Sequence, residues 1–319
     1  MTGKMKYTGF AIALAWPQTF CKEPGSWYDP VTRWMGISRS NYYRAGHAAV
    51  VLVDAEKERC HYFDFGRYHA PYKYGRVRSA DTDHDLKMNT IPEISADGKT
   101  ITNFRAILED LQHNPACHGE GILHASYSPV NFDASYNKAV RMQSESPMPY
   151  GPFKQGGSNC SRFVNTVILS GKPHWYRRLR LNYFIPFTPT PLNNVSSLPH
   201  RLKIPIMRKY VPFTPLRPLT GMELISTLPA PGRHPAIPEN AQWLSGEGAG
   251  SWFDFKFEKN GLKVMRFAPD GTIECSGYYQ GSVIEMQEIV DSYIVDYPSN
   301  CLEVNLKNGD RQLTFRRVS

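Results

Sequence analysis

The chain has 319 residues, 41% hydrophobic and 13% aromatic, with 37 basic against 29 acidic side chains and a formal net charge of +8. That is long enough for one large domain, or a catalytic domain plus a small one, and the composition is that of a soluble globular protein. The six cysteines (Cys21, Cys60, Cys117, Cys160, Cys275, Cys301) are dispersed without a CxxC pair, which argues against a zinc cage or disulfide framework and for a reducing, cytoplasmic setting.

Residues 1–7 carry lysines and lead into the apolar run 10–16. That run is too short to span a membrane, and Pro17, Gln18 and Thr19 offer no small-residue cleavage site. It reads as a buried first strand, with no transmembrane segment expected. Residues 20–41, rich in aromatics, Gly and Pro, read as a packed loop. Residues 46–54 are nearly continuously apolar and β-branched, the pattern of a central strand. The charged turn 55–58 then leads into a second strand, 59–66, to form an antiparallel hairpin.

The four-residue turn sets the register. Asp54 opposes Arg59, Val51 opposes Tyr62 and Ala49 opposes Asp64. His47 and Asp64 then project from one face as diagonal neighbours. His61 opposes Leu52 and points away. An odd loop would bring His61 opposite Val51, still too far along the strand from His47.

Residues 68–85 read as polar and irregular. Within them, Asp81-Thr82-Asp83-His84-Asp85 clusters carboxylates with a histidine, as a hard metal would require. The stretch lacks the glycine and terminal glutamate of an EF-hand loop, so a solvated turn or helix cap is the plainer reading and no metal is assigned. The spacing predicts an amphipathic helix over 103–113, a strand over 119–127 and a helix over 132–144. His118 and Glu120, near that strand's start, read as structural, though either could approach the site.

Residues 156–171 read as a glycine-hinged entry into a short helix. Ser158 or Asn159 stands at the N-cap. Phe163, Val164, Val167 and Ile168 share a buried face. Gly171 suits a left-handed C-terminal position, and Pro173 stops the helix. Cys160 lies in the first turn, where free amides and the helix dipole stabilise a thiolate. A lone cysteine there is more often an inert small hydrophobe; the company of His47 and Asp64 sets this one apart. Cysteine hydrolysis needs a thiolate, a base, a group orienting the base, and amides facing the oxyanion. Cys160, His47 and Asp64 can supply the first three. The Cys160 amide can contribute to the fourth, with Gln155 as an auxiliary donor whose plainer reading is an exposed loop amide.

Between Lys172 and Arg217 lie nine lysines and arginines and no acidic residue, so this segment carries +9 and the remainder −1. Such a run is usually a solvated face; the alternative is an anionic partner such as nucleic acid, phospholipid or a cell-wall polymer. No nucleic-acid-binding motif accompanies it, and specific nucleic-acid binding is not expected. Residues 173–238, rich in proline, form either a wrapping segment or an interdomain connector. Strand patterns at 252–257, 263–268, 272–279, 292–297, 301–306 and 311–316, with turns at 269–271 and 307–310, predict a small antiparallel sheet or partly closed barrel. The expected division is a catalytic domain 1–185, a basic connector 186–238 and a β domain 239–319.

Gly46-His47 opening an apolar strand, an Asp-bearing strand next, and a late Asn159-Cys160-Ser161-Arg162-Phe163-Val164 helix resemble the circularly permuted branch of the NlpC-type papain-like superfamily. That branch includes the lecithin-retinol acyltransferase-like proteins, and its order His, polar residue, Cys is the order found here. Asp64-Phe65-Gly66-Arg67-Tyr68 and Tyr150-Gly151-Pro152-Phe153 are also similar to pieces of an uncharacterised group of bacterial proteins. Over roughly residues 8–185, the resemblance implies a papain-like α+β fold. It also implies cofactor-free cleavage or transfer at an amide or ester carbonyl of a peptide, peptidoglycan-type or acyl substrate. Carried over, Cys160 is the nucleophile, His47 the general base and Asp64 the orienting residue. The branch often has His or Glu at the third position, so His61, His118 and Glu120 remain alternatives to Asp64. The tail beyond residue 240 has no counterpart in the branch. The expected activity is that of a cysteine peptidase or amidase. The alternatives are a papain-like binding module whose chemistry has lapsed, and a basic protein acting on an anionic surface.

Overall fold

A strand buried on both faces needs two covering layers, and β1 (Gly9–Trp16) is buried along its whole length. Its alternation sorts the side chains. Ala11, Ala13 and Ala15 face one cluster, while Phe10, Ile12, Leu14 and Trp16 face another. Small residues on one side let helices approach closely, and large ones fill the other. The computed structural model describes residues 7–318 apart from 28, 35, 37, 187, 208–212, 259–260 and 282–292. Met1, Lys4 and Lys6 of the N-terminal stretch, Arg208 and Lys209 of the basic run, and Ser292 at an expected strand start lie outside the described residues.

Where a packed loop was expected after β1, the chain forms a three-stranded sheet of β2 (Cys21–Lys22), β3 (Ser38–Arg39) and β4 (Tyr42–Tyr43), with α1 (Asp29–Trp34) inserted. Two buried carboxylates organise it. Glu23 takes Arg33 at 2.6 Å and the Ser38 hydroxyl, and Asp29 accepts from the Tyr43 hydroxyl.

The hairpin of β5 (His47–Asp54) and β6 (Arg59–Gly66) has the register that its turn length dictates: Asp54 with Arg59, Val51 with Tyr62, Ala49 with Asp64. β7 (Tyr74–Arg78) extends it, where irregular chain was expected. The polarity of Arg76 and Arg78 concealed this strand. Both are buried, and each meets a buried carboxylate, so their charge does not keep them in water. β8 (Leu123–Val130), β9 (Met148–Pro149) and β10 (Leu202–Ile204) complete an antiparallel sheet of order β10-β8-β1-β5-β6-β7-β9.

One face of the sheet is covered by α2 (Phe104–His113) through Phe104, Ile107, Leu108 and Leu111. The other is covered by α3 (Phe132–Ser144) and α4 (Cys160–Ser170). In α4, the Asn159 side chain caps the helix by accepting from the Arg162 amide at 2.8 Å. Gly171 is not left-handed (φ −75°); that conformation falls to Lys172 (φ 49°). Gly171 is needed for space instead, since a Cβ there would stand 2.2 Å from Ser135 Oγ and 2.8 Å from Val130 Cβ.

Beyond α4, α5 (Trp175–Tyr183) precedes α6 (Pro191–Ser197), whose Val195 joins the same core as Leu181 and Leu198. With β10 pairing against β8, the proline-rich segment is built into the first sheet before it becomes a connector carrying α7 (Met222–Ile225). The remaining strands are β11 (Gln242–Leu244), β12 (Ser251–Glu258), β13 (Gly261–Phe267), β14 (Ile273–Gln280), β15 (Ile294–Asp296), β16 (Glu303–Asn308) and β17 (Arg311–Arg317). They form a second antiparallel sheet, β11-β12-β13-β14-β17-β16-β15. Gln242 on one edge hydrogen-bonds Tyr293 O at 2.9 Å and Val295 N at 2.7 Å beside the other edge, so this unit is nearly closed. The architecture is mixed α and β, with antiparallel sheets and a nearly closed all-β C-terminal unit. Among the described residues, no helix is long and apolar enough to cross a membrane.

The two sheets meet through main chain and buried charge. Gly248 N donates to Arg67 O at 2.8 Å, His69 N to Ala249 O at 3.2 Å, and Arg67 pairs with Glu247 at 2.7 Å. Asp83 is held by Arg76 (2.7 Å) from one unit and Arg266 (3.1 Å) from the other. Asp83→Ala would leave the buried Arg76 guanidinium without a carboxylate and Arg266 with Glu274 alone. A loss of about 3–5 kcal/mol in unfolding free energy is expected by urea titration. A loss below about 1 kcal/mol would show that the junction does not depend on this carboxylate.

Candidate active site

His47 opens β5 after a turn that only glycine fits easily. Gly46 is left-handed (φ 76°), and a Cβ there would come within 2.9 Å of Pro17 Cα. The imidazole stacks on Trp16 at 5.9 Å between centroids and meets the Tyr68 ring edge-on at 6.4 Å. Trp16 is itself fixed, its indole N–H donating to Gln112 Oε1 at 2.9 Å. Gly119 completes the packing; a Cβ there would fall 2.0 Å from the indole. The ring is therefore held before any polar contact is considered.

His47 Nε2 lies 3.3 Å from Asp64 Oδ2, an ion-pair contact too far off line to count as a hydrogen bond. Asp64 has no solvent exposure. Arg78 grips it with both arms, Nε to Oδ1 at 2.9 Å and Nη2 to Oδ2 at 2.5 Å, and the Tyr62 hydroxyl donates to Oδ2 at 3.1 Å. The cross-strand pair Asp64–Arg78 creates this bidentate clasp. Burial would raise the Asp64 pKa, but Arg78 and then His47 hold the carboxyl below its usual range.

Cys160 interacts with the imidazole from the start of α4. The sulfur also lies 3.8 Å from Ser161 Oγ and receives the Ala48 amide. Burial would push the imidazole down, yet Asp64 and Cys160 raise it from 6.5 to about 9. Burial would likewise push the thiol up, yet His47, Ser161 and the Ala48 N–H bring it below its ordinary value. Opposite shifts on contacting groups favour a thiolate–imidazolium pair. Cys160 is 7% exposed.

The other sequence candidates fall elsewhere. His61 is on β6 opposite Leu52 and packs against Phe132 and Tyr136. His118 stacks on the far partner of His47, Tyr68, at 4.8 Å, and burial followed by Arg78 pushes it to about 3. Glu120 Oε1 accepts from the Phe213 amide at 3.4 Å. Gln155 is exposed on the loop before α4. Asp81 and Thr82 lie in a turn, Asp83 is extended and paired with arginines, and His84 to Leu86 form one short helical turn. Among the described residues, no cluster of three acidic, His or Cys side chains could hold a metal. Trp16, Tyr62, Tyr68 and Arg78 were not singled out in the sequence. The alternation Arg76-Val77-Arg78 was the available signal for Arg78.

A second constellation resembles a triad but is wired otherwise. His69 Nε2 is 2.7 Å from Ser251 Oγ, which is 2.6 Å from Glu274. Arg76 Nη2 lies 3.1 Å from His69 Nδ1 and can only donate, so Nδ1 accepts and Nε2 carries the proton. Burial, with Arg76, also pushes His69 well below 6.5. His69 thus donates to Ser251, and cannot take its proton.

A cleft of about 930 Å³ runs along the junction of the two units, walled by Arg78, His118, Pro229, Pro231, Trp243 and Ala249 among others. Arg78 of the clasp lines it.

Two family models match separate parts of the chain. A family model described as type VI secretion system effector TseH-like matches residues 11–175, just over half of the chain. A second, described as the DUF6695 C-terminal domain, matches residues 241–318. No curated protein matches. A crystal structure of the type VI secretion system effector TseH superposes with a TM-score of 0.42 at 18% identity, covering 63% of this chain and 94% of that one. The chain belongs to the type VI secretion system effector TseH-like family.

Proposed function

We propose that the protein is a cysteine hydrolase with Cys160 as nucleophile, His47 as general base and acid, and Asp64 as orienting carboxylate. We take the fold around them to be papain-like, of the permuted NlpC type. The substrate class is an amide, peptide or peptidoglycan-type, or an acyl ester. Membership of an effector family favours an action in a cell that receives the protein over one in the cytoplasm where it is made. The observation that carries the reading is the convergence of three elements: His47 on β5, 3.3 Å from Asp64 on β6, meets Cys160 at the start of α4, with the carboxylate clasped by Arg78.

The chemistry follows from those groups. The thiolate attacks the carbonyl carbon, and the oxyanion meets the amides at the mouth of α4. His47 then passes its proton to the leaving amine or alkoxide as the C–N or C–O bond breaks, giving a thioester on Cys160. Neutral His47 next takes a proton from water, whose oxygen attacks the thioester; the acid is released and the thiolate–imidazolium pair is restored. Arg78 and Tyr62 act at one remove, by holding Asp64. The competing reading, a binding module whose chemistry has lapsed, draws on the burial of Cys160.

Alkylation separates the two. At neutral pH a small haloacetamide should modify Cys160 well ahead of the other five cysteines, and Asp64→Asn should slow this by about tenfold per unit of pKa regained by the thiol. Labelling of wild type no faster than of Cys160→Ala would leave the lapsed module standing. The pH dependence has a definite sign. The folded His47 pKa lies above its unfolded value, so the imidazolium's own contribution is full below about 6.5 and is lost as pH rises through about 9, whereas the lowered Cys160 thiol contributes with the opposite sign. With the thiol removed, the unfolding free energy of Cys160→Ala should fall as pH rises above 6.5, and less in Cys160→Ala/His47→Gln; equal slopes would refute the pairing of His47 with Asp64.

A further inference from the structure

Helix α5 is built against the usual rule for a surface helix. At about 100° per residue, Trp175, Leu179, Tyr183 and Tyr176 fall within roughly 100° of arc. Leu181, the buried residue of the helix, lies on the opposite side. The apolar stripe therefore faces water: Trp175 is 62% exposed, Tyr183 75%, and Phe184, just after the helix, 73%. Arg178 and Arg180 border the stripe on either side, and no acidic residue occurs from Lys172 to Arg217. A contiguous exposed apolar patch marks an interaction surface. The geometry points to its occupant, an anionic phospholipid bilayer surface. Aromatic rings with one apolar body and one polar edge settle at the headgroup boundary, and flanking arginines keep their charge among the phosphates.

A convex stripe on an outward helix suits a flat interface. Single-stranded nucleic acid is instead gripped in a groove with bases stacked on its floor, and α5 presents a ridge. The acid-free run supplies the charge complementarity, and its aromatic members supply the insertion. This surface needs nothing from Cys160, so it stands or falls separately from the proposed hydrolase activity. It would hold the protein at a membrane face and bring the sulfur to substrates lying near that face.

Co-sedimentation of the full chain with vesicles tests it. Partitioning onto mixed phosphatidylcholine–phosphatidylglycerol vesicles should exceed that onto pure phosphatidylcholine by at least about tenfold, and fall steeply with salt. The triple variant Trp175→Ser, Leu179→Ser, Tyr183→Ser should lose about tenfold or more with an unchanged urea midpoint, and Arg178→Glu several-fold. The inference is overturned by equal partitioning onto both vesicles, or by a stripe variant that binds as wild type does. It is also overturned by wild-type dimerisation that the stripe variant abolishes, which would give the patch to a second copy of the chain.

Discussion

A carboxylate with no access to water must find its compensation inside the protein, and Asp64 finds it in Arg78. This one clasp accounts for much of the structure around it. It requires β7 to pair with β6 at Asp64–Arg78, which draws a polar stretch into the sheet. It sets Oδ2, which Arg78 and Tyr62 also hold, 3.3 Å from the His47 imidazole, and Asp64 with Cys160 raises that ring's pKa. Removing Arg78 would strand a buried charge, whereas keeping it fixes the carboxylate's position and charge together.

The C-terminal unit belongs to the same mechanical system. Its residues Gly248 and Ala249 hydrogen-bond Arg67 and His69, directly after β6, and Glu247 pairs with Arg67. Gly246 permits this approach, since a Cβ there would lie 2.6 Å from both Arg67 O and His69 N. The strand that carries Asp64 is thus tied at its end by the second sheet. Arg76, Asp83, Arg266 and Glu274 extend the tie as a buried ionic chain across the junction. Two segments that match separate family models are joined here by charge that neither could bury alone.

Much of the first sheet was legible because its signals are local. Alternation and turn length were enough for the β5–β6 register, and helical spacing with a capping residue was enough for α4. What was missed depends on distant partners. Arg76 and Arg78 read as loop residues because their carboxylates come from other elements. The segment 20–41 read as a loop because Glu23 and Asp29 are satisfied by residues 10 to 18 positions away. Gly171 was assigned a backbone role when its role is steric, which only the packing of α3 against α4 reveals. At the site, His47, Asp64 and Cys160 were named from strand parity and helix position. Trp16 and Tyr68, which fix the ring, could not be chosen among 40 aromatic side chains by pattern alone.

The central claim is that the clasped Asp64 holds His47 in its charged form beside a thiolate. Following the His47 ring protons by NMR across a pH titration of the folded protein reads this directly. The account predicts a midpoint near 9 in wild type, falling clearly in Cys160→Ala and further in Asp64→Asn. A His47 that titrates at or below the ordinary 6.5, indifferent to both substitutions, would contradict it.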